Sequence, residues 1–368
     1  MTKRDTFSVL IPDGESTLSL FAVMGLSQIK GLKIYVMSTH KGALVSSSKK
    51  INQFYYYENI KDENKWVYYV NDIVLNNKID IIMPVDSDKI RFFSKNINDI
   101  PFGDKLTFLP EIKNFKIANN KDKLAKYLLD NKLPHPKTVS FKKTTLLNTD
   151  LFNFPIIYKD LDSFGGGQGV RLFQNKNDLE CFFRNSSKNH SYLIQEYIEG
   201  YDIDCSVLCK NGKILAFTIQ KGILPGKNKF SPNVGVKFLY EEKLYQVVKN
   251  LMKSLNWSGV AHIDMRYDSV ASEFKIIEIN PRFWESLEAS IAVGVNFPYL
   301  ICAASLGKQF KIPEYKHVEY FNLLGLAKLI RKNVFFLFNF KLILKNTSLK
   351  FYKKDPFPFF KMLKYKYK

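Results

Sequence analysis

The stretch Lys275-Ile276-Ile277-Glu278-Ile279-Asn280-Pro281-Arg282 constrains this chain more than any other. β-Branched Ile276, Ile277 and Ile279 favour a strand, and Pro281 ends it because proline has no N–H to give the ladder. Glu278, Asn280 and Arg282 stand at alternate positions, so a period of two puts them on one face. A carboxylate, an amide oxygen and a guanidinium make poor core but good chemistry. The two oxygen donors suit Mg²⁺, and the guanidinium is a fork for phosphate or carboxylate. The plainer reading is a charged edge-strand end in solvent, but the run before them reads as too apolar for an edge.

The chain supplies neighbours for that strand. Gly259 to Tyr267 reads as a strand with His262, Asp264 and Arg266 on one face, and Ser269 to Glu273 is the turn that joins the two. Antiparallel neighbours bring Asp264 and Glu278 near one level, where two carboxylates can share a divalent cation. Further upstream, Pro155 to Lys159 is a short apolar strand ending in lysine. Gly165, Gly166, Gly167 and Gly169 follow, and then a strand from Val170 to Phe173. Backbone N–H groups in such a glycine turn can approach phosphate oxygens, and Lys159 can reach the same oxygens as a point charge.

Tyr192 to Ile198 is another strand. Asn211-Gly212 between the apolar runs Cys205–Cys209 and Ile214–Gln220 predicts a tight antiparallel hairpin. Lys221 to Lys237, rich in Gly, Pro, Lys and Asn, is expected to be a mobile basic loop able to close over an anion. Helices are expected over Asn119–Asn131 and Glu241–Leu255, and Leu133-Pro134-His135-Pro136 reads as a joint between lobes. After Arg282, helices are expected over Ser286–Ala292 and from Pro298.

The N-terminal third differs. Strands at Phe7–Ile11, Leu32–Met37 and Ile79–Pro84 alternate with helical segments, which predicts a parallel α/β sheet. Ser16 is placed to cap the first helix. The acidic turns Asp13/Glu15 and Asp86/Asp88 fall where such sheets bind ligands, although helix capping is the plainer reading. No G-x-G-x-x-G follows the first strand, so the dinucleotide fingerprint is absent.

At 368 residues two or three lobes are expected. The net charge of +20 points to an anionic partner, whether nucleotide, nucleic acid or membrane surface. Cys181, Cys205, Cys209 and Cys302 show no zinc spacing with histidine and read as buried free thiols of a reducing cytosol. The first residues show no signal-peptide pattern, and no apolar run is long enough to span a bilayer. The expected setting is cytoplasmic, with peripheral contact at the inner face of the membrane as an option. That option comes from residues 333–368, a very aromatic run to Phe340 followed from Lys341 by Lys mixed with Phe, Tyr and Leu. They suit an anionic membrane or a membrane-bound partner, or else the first half packs back on the protein and the rest is a solvated tail. No nucleic-acid module is visible.

The order of these parts resembles the ATP-grasp superfamily over about residues 5 to 310. Ile277 to Arg282, followed by Ala289 to Pro298, resembles the carbamoyl-phosphate-synthetase-like branch. The resemblance implies a parallel α/β pre-ATP-grasp domain over 1–110 and a two-lobed ATP-grasp domain with antiparallel sheets over 111–310. Its small lobe would run about 115–195 and its large lobe about 196–310, with a basic aromatic extension over 311–368. It implies ATP and Mg²⁺, with Mn²⁺ as an alternative. Lys159 and Lys121 (or Lys123) would meet the phosphates, under a flap at Gly165, Gly166, Gly167 and Gly169. Glu196 and Ile198 would meet the adenine, and Asp202 (or Asp204) the ribose. Asp264, Glu278 and Asn280 would hold the metal, and Arg282 the phosphoryl group. The implied activity is a ligase that activates a small carboxylate as an acyl phosphate and joins it to an amine. The alternatives are a bicarbonate-using carboxylase or carbamoyl-type enzyme, and a non-catalytic nucleotide-binding subunit of a membrane complex. Glu285 departs from the small polar residue that related chains often carry there.

Overall fold

The computed structural model describes residues 6–58, 60, 62–141, 152–161, 167–185, 191–228 and 230–366. Among these, the strands form three sheets. The first is parallel, with order β3-β2-β1-β4, from β1 (Ser8–Ile11), β2 (Lys33–Ser38), β3 (Gln53–Tyr56) and β4 (Ile81–Ile82). Apolar clusters cover both its faces, as a parallel sheet requires: Val9, Ile11 and Val36 on one side, Leu10, Trp66 and Phe93 on the other. The strand β3 is not among those expected from the sequence, and the helix Glu63–Asn77 is the helical segment between the second and third expected strands. Ser16 stands one residue before the N-cap Thr17; its Oγ accepts from Leu18 N–H at 3.3 Å, the capping contact expected of it, and its hydroxyl donates to Asp86.

The second sheet is antiparallel, with order β5-β8-β6-β7, from β5 (Thr138–Phe141), β6 (Ile156–Asp160), β7 (Val170–Phe173) and β8 (Tyr192–Glu196). Its core is aromatic, with Tyr158 packed among Phe173, Phe182 and Tyr192. The third and largest sheet is also antiparallel, with order β13-β12-β9-β10-β11-β14. Its strands are β9 (Gly200–Lys210), β10 (Lys213–Leu224), β11 (Gly235–Leu239), β12 (Gly259–Asp268), β13 (Glu273–Asn280) and β14 (Glu319–Phe321). Asn211 and Gly212 turn between β9 and β10 with φ of 48° and 76°, the left-handed pair that a two-residue hairpin demands. The amphipathic helix Glu242–Ser254 buries Leu244, Val248 and Leu251 on one face of this sheet.

Two expectations are corrected. β13 is an edge strand, but not one in solvent. Leu133 to Pro136 runs beside it, and Ile276 N–H donates to Pro134 O at 2.9 Å. That covering explains how Ile276 and Ile279 stay buried at an edge. The other correction concerns residues 341–366, which do not form a free tail. Phe351 and Tyr352 are buried in the core shared with the first sheet. Asp355 accepts from Ser48 Oγ and from Lys49 N–H, and Lys361 Nζ donates to Ala43 O at 2.9 Å. Cys205, Cys209 and Cys302 are buried free thiols, whereas Cys181 is exposed.

Candidate functional site

The site lies where β13, β12 and β9 run side by side beneath the second sheet. In the ladder Asp264 stands opposite Glu278 on one side and opposite Asp204 on the other. Three carboxylates therefore sit in one row across three strands. A β-bulge between Asp264 and Met265 sets that register. It places one extra residue in β13 and so changes the parity of the strand. Glu278 and Asn280 share a face, as alternation requires. Lys275, three positions before Glu278, comes to stand opposite Arg266 on β12.

Such a row costs free energy unless cations or hydrogen bonds offset it. Lys121, on the helix Lys121–Asp130, holds its Nζ 3.7 Å from Glu278 Oε2. Lys123 on the same helix is exposed. Lys159, at the end of β6, is buried. Burial pulls its pKa down to about 8; the negative charge of Glu278 opposes that fall and Lys121 adds to it. Asn280 Nδ2 donates to Asp264 Oδ2 at 3.0 Å. Burial first, and then the charge of Asp264, hold the Asp204 carboxyl above the usual range, with His262 pulling the other way.

His262 extends the row. Its Nε2 lies 3.1 Å from Asp264 Oδ1, its Nδ1 lies 2.8 Å from Ser206 Oγ, and its ring stacks on Trp284. Ligand atoms of Asp204, His262 and Asp264 all fall within 4.8 Å of one another. Ser206 is fully buried, so this chain of contacts orients Asp264 rather than presenting a nucleophile.

Lys121, His135, Thr138, Lys159, Gln195 and Ile277 line the cleft between the helix, the second sheet and β13. At its far end Glu196 Oε2 accepts from Lys137 N–H at 3.0 Å and lies 3.7 Å from Lys275 Nζ. Lys275 also lies 2.9 Å from Asp268. Burial draws the Lys275 pKa down, but its three carboxylate neighbours outweigh that and raise it. Ile198 is buried, and its carbonyl accepts from Arg266 Nε at 2.7 Å. Arg266 also engages Asp202 and donates to Gly200 O. Asp202 therefore belongs to the strand-linking end of the cleft, and Asp204 to the carboxylate row.

Gly167 and Gly169 have φ of +77° and +73°. A Cβ on Gly167 would sit 2.1 Å from Phe230 O, so the turn and the loop between β10 and β11 pass closer than any side chain allows. Gly165 and Gly166 lie outside the described residues. The loop itself is shorter than expected, because β10 runs to Leu224 and β11 begins at Gly235.

Arg282 follows Pro281 out of β13. Its Nη1 donates to Phe283 O, and its Nε lies 3.8 Å from Asp86 Oδ1. Asp86 caps the helix Ser87–Asn96, and buried Asp13 accepts from the N–H groups of Val85 and Asp86. The acidic turns thus have structural partners, and they bring the first sheet against Arg282. Glu285 is exposed beside them. Desolvation by its surroundings raises its pKa, with Arg282 acting against that and Asp86 with it. Sequence reading missed His262 and Lys275 as site residues. His262 carried a signal, its place two residues before Asp264; Lys275 carried none, because its face depends on the bulge.

Comparison with known proteins gives matches over this same region. Residues 118–286 match the ATP-grasp domain family. D-Aspartate ligase of Enterococcus faecium is 25% identical over 171 residues, which are 41% of this chain and 41% of the relative. D-Alanine–D-alanine ligase of Petrotoga mobilis is 26% identical over 185 residues, 44% of this chain and 61% of the relative. The matched stretch thus spans about half the length of these curated relatives. The structure of N5-carboxyaminoimidazole synthetase from Staphylococcus aureus, complexed with ADP, superposes with a TM-score of 0.66 at 17% identity. It covers 90% of this chain and 85% of the other.

Proposed function

We propose that this chain, whose residues 118–286 match the ATP-grasp domain family, is an ATP-dependent ligase. It activates a carboxylate as an acyl phosphate and joins it to an amine, releasing ADP and phosphate. The observation that carries this reading is the row Asp204, Asp264 and Glu278, in register and drawn up against Lys121 and Lys159 in one cleft.

The row suits a hard divalent cation. Its donors are carboxylate and amide oxygens, and Glu278 already holds a lysine ammonium nearby. Asp264, Glu278 and Asn280 would hold Mg²⁺, with Mn²⁺ as an alternative. The ion would supply charge neutralisation on the polyphosphate. Lys159 and Lys121 hold the phosphate oxygens, and the glycine turn at 165–169 covers them. Glu196 and Ile198 meet the adenine, and Asp202, at their end of the cleft, meets the ribose. Arg282 holds the phosphoryl group and then the acyl phosphate.

The substrate carboxylate attacks the γ-phosphorus, and the bond to ADP breaks. Lys159 and Arg282 stabilise the developing charge by position, the largest contribution expected in phosphoryl transfer. The amine then attacks the acyl carbon and phosphate leaves. Closure of the glycine turn against the loop 225–234 keeps water from the acyl phosphate. The names of the curated relatives make amino acids the first carboxylates and amines to test. Any contact with an anionic membrane or a membrane-bound partner runs through the C-terminal region, outside this site.

The test is ADP release by the full chain on a panel of carboxylates with and without amines. Release that needs both partners supports the ligase. Release with bicarbonate alone overturns it in favour of a carboxylase. Tight ATP binding with no turnover on any pair overturns it in favour of a non-catalytic nucleotide-binding role.

A further inference from the structure

One surface of the molecule is not used by the site. The 3-10 turn Val334–Phe338 and the first residue of the helix Phe340–Lys345 expose five large apolar side chains in seven positions. Val334 is 59% exposed, Phe335 73%, Leu337 43%, Phe338 71% and Phe340 64%. Single exposed apolar residues are ordinary on a protein surface, but a contiguous aromatic patch is not. The turn is ordered by its polar caps rather than by that patch. Asn333 accepts from Phe335 N–H, and Asn339 accepts from Leu342 N–H. The rings of Phe335 and Phe338 stack on each other at 6.4 Å.

The charge around the patch has one sign. Residues 320–354 contain no Asp or Glu, and they contain Lys328, Arg331, Lys332, Lys341, Lys345, Lys350, Lys353 and Lys354. Arg331 and Lys332 directly precede the patch, Lys341 and Lys345 directly follow it, and all four are exposed.

We propose that Val334–Phe340 is a wedge that seats this protein on an anionic lipid bilayer, with Arg331, Lys332, Lys341 and Lys345 at the headgroups. Aromatic and aliphatic side chains flanked by Lys and Arg are the composition of an interfacial anchor. The eight cations and no carboxylate over residues 320–354 match an anionic surface. Among the described residues no single helix is long and apolar enough to cross a membrane. The helix Leu323–Lys332 ties the wedge to the site. Lys328 Nζ donates to Pro225 O at 2.9 Å and Gly226 O at 2.8 Å, on the loop that meets the glycine turn.

The test is flotation of the full chain with vesicles of phosphatidylcholine alone and with added phosphatidylglycerol, at low and high salt. The expected result is binding to the anionic vesicles only, weakened by salt. The combined variant Phe335→Ser, Phe338→Ser, Phe340→Ser should lower the bound fraction about tenfold with an unchanged melting curve. The variant Arg331→Glu, Lys341→Glu, Lys345→Glu should lower it about as much. No binding to anionic vesicles at low salt overturns the proposal, as does binding that neither variant weakens. Self-association in solution that the triple Phe variant abolishes also overturns it, by assigning the patch to a second copy of the chain.

Discussion

Glu278 has the most to lose from substitution. It pairs in register with Asp264, lies 3.7 Å from Lys121 and acts on the charge of buried Lys159. Glu278→Gln keeps the shape and removes the charge. We expect it to abolish Mg²⁺-dependent ATP turnover while the melting temperature stays within a few degrees, measured by coupled ADP release and calorimetry. Lys121 and Lys123 give a paired control. Lys121→Met should weaken nucleotide binding by about tenfold or more, since charge-assisted contacts are worth about 1.5–3 kcal/mol. Lys123→Met should change little, and equal effects would remove Lys121 from the site. The sequence made Asp264, Glu278, Asn280 and Lys159 legible, because each ends or punctuates an apolar strand. Lys275 stayed hidden. Its face follows from a bulge, and nothing in Lys275-Ile276-Ile277-Glu278 says that one residue is skipped.

At the level of elements, the close pass between the glycine turn and the loop 225–234 is the part most sensitive to small change. Gly167 combines a φ of +77° with a Cβ position 2.1 Å from a backbone oxygen. Gly167→Ala should therefore displace the turn from the loop. Turnover with saturating substrates should fall at least about tenfold, and water-driven ATP hydrolysis should rise relative to ligation, while the fold persists. Unchanged partition between hydrolysis and ligation would mean that the turn does not shield the site. The lysine strand, the glycine turn and the Asn-Gly hairpin could be read locally, because each depends on residues adjacent in sequence. The covering of β13 could not. Pro134 and Ile276 meet only through the folded chain, so an edge strand with the composition of a central one looked like a central one.

For the whole molecule, the C-terminal segment packs into the core that the first sheet shares with the helices after β13. Phe351 and Tyr352 share a core with Val9, Val36, Phe283 and Ile301, and Asp355 binds the segment at Ser48. Composition alone read residues 341–366 as basic and amphipathic, since their contacts lie about three hundred positions away. Deleting Phe351 to Lys368 should therefore destabilise the entire chain, giving low soluble yield or a clearly lower melting temperature. Phe351→Ala alone should cost about 3 kcal/mol or more. A truncated protein that melts like the intact one would show that this docking contributes nothing. The parallel first sheet and the antiparallel strands around Asn211-Gly212 were legible from alternation and turn chemistry, whereas the division of the antiparallel strands into two sheets was implied only by the resemblance. The sixth strand of the large sheet, β14, was too short for any periodicity to reveal.

The most direct measurement uses a carboxylate substrate labelled with ¹⁸O, supplied with ATP, Mg²⁺ and the amine partner found by the panel. Attack of that carboxylate on the γ-phosphorus must leave one of its oxygens on the phosphate that departs. Labelled phosphate, formed in step with the amide, is the expected result. Unlabelled phosphate beside full amide formation would contradict the acyl phosphate route and, with it, the role assigned to the carboxylate row.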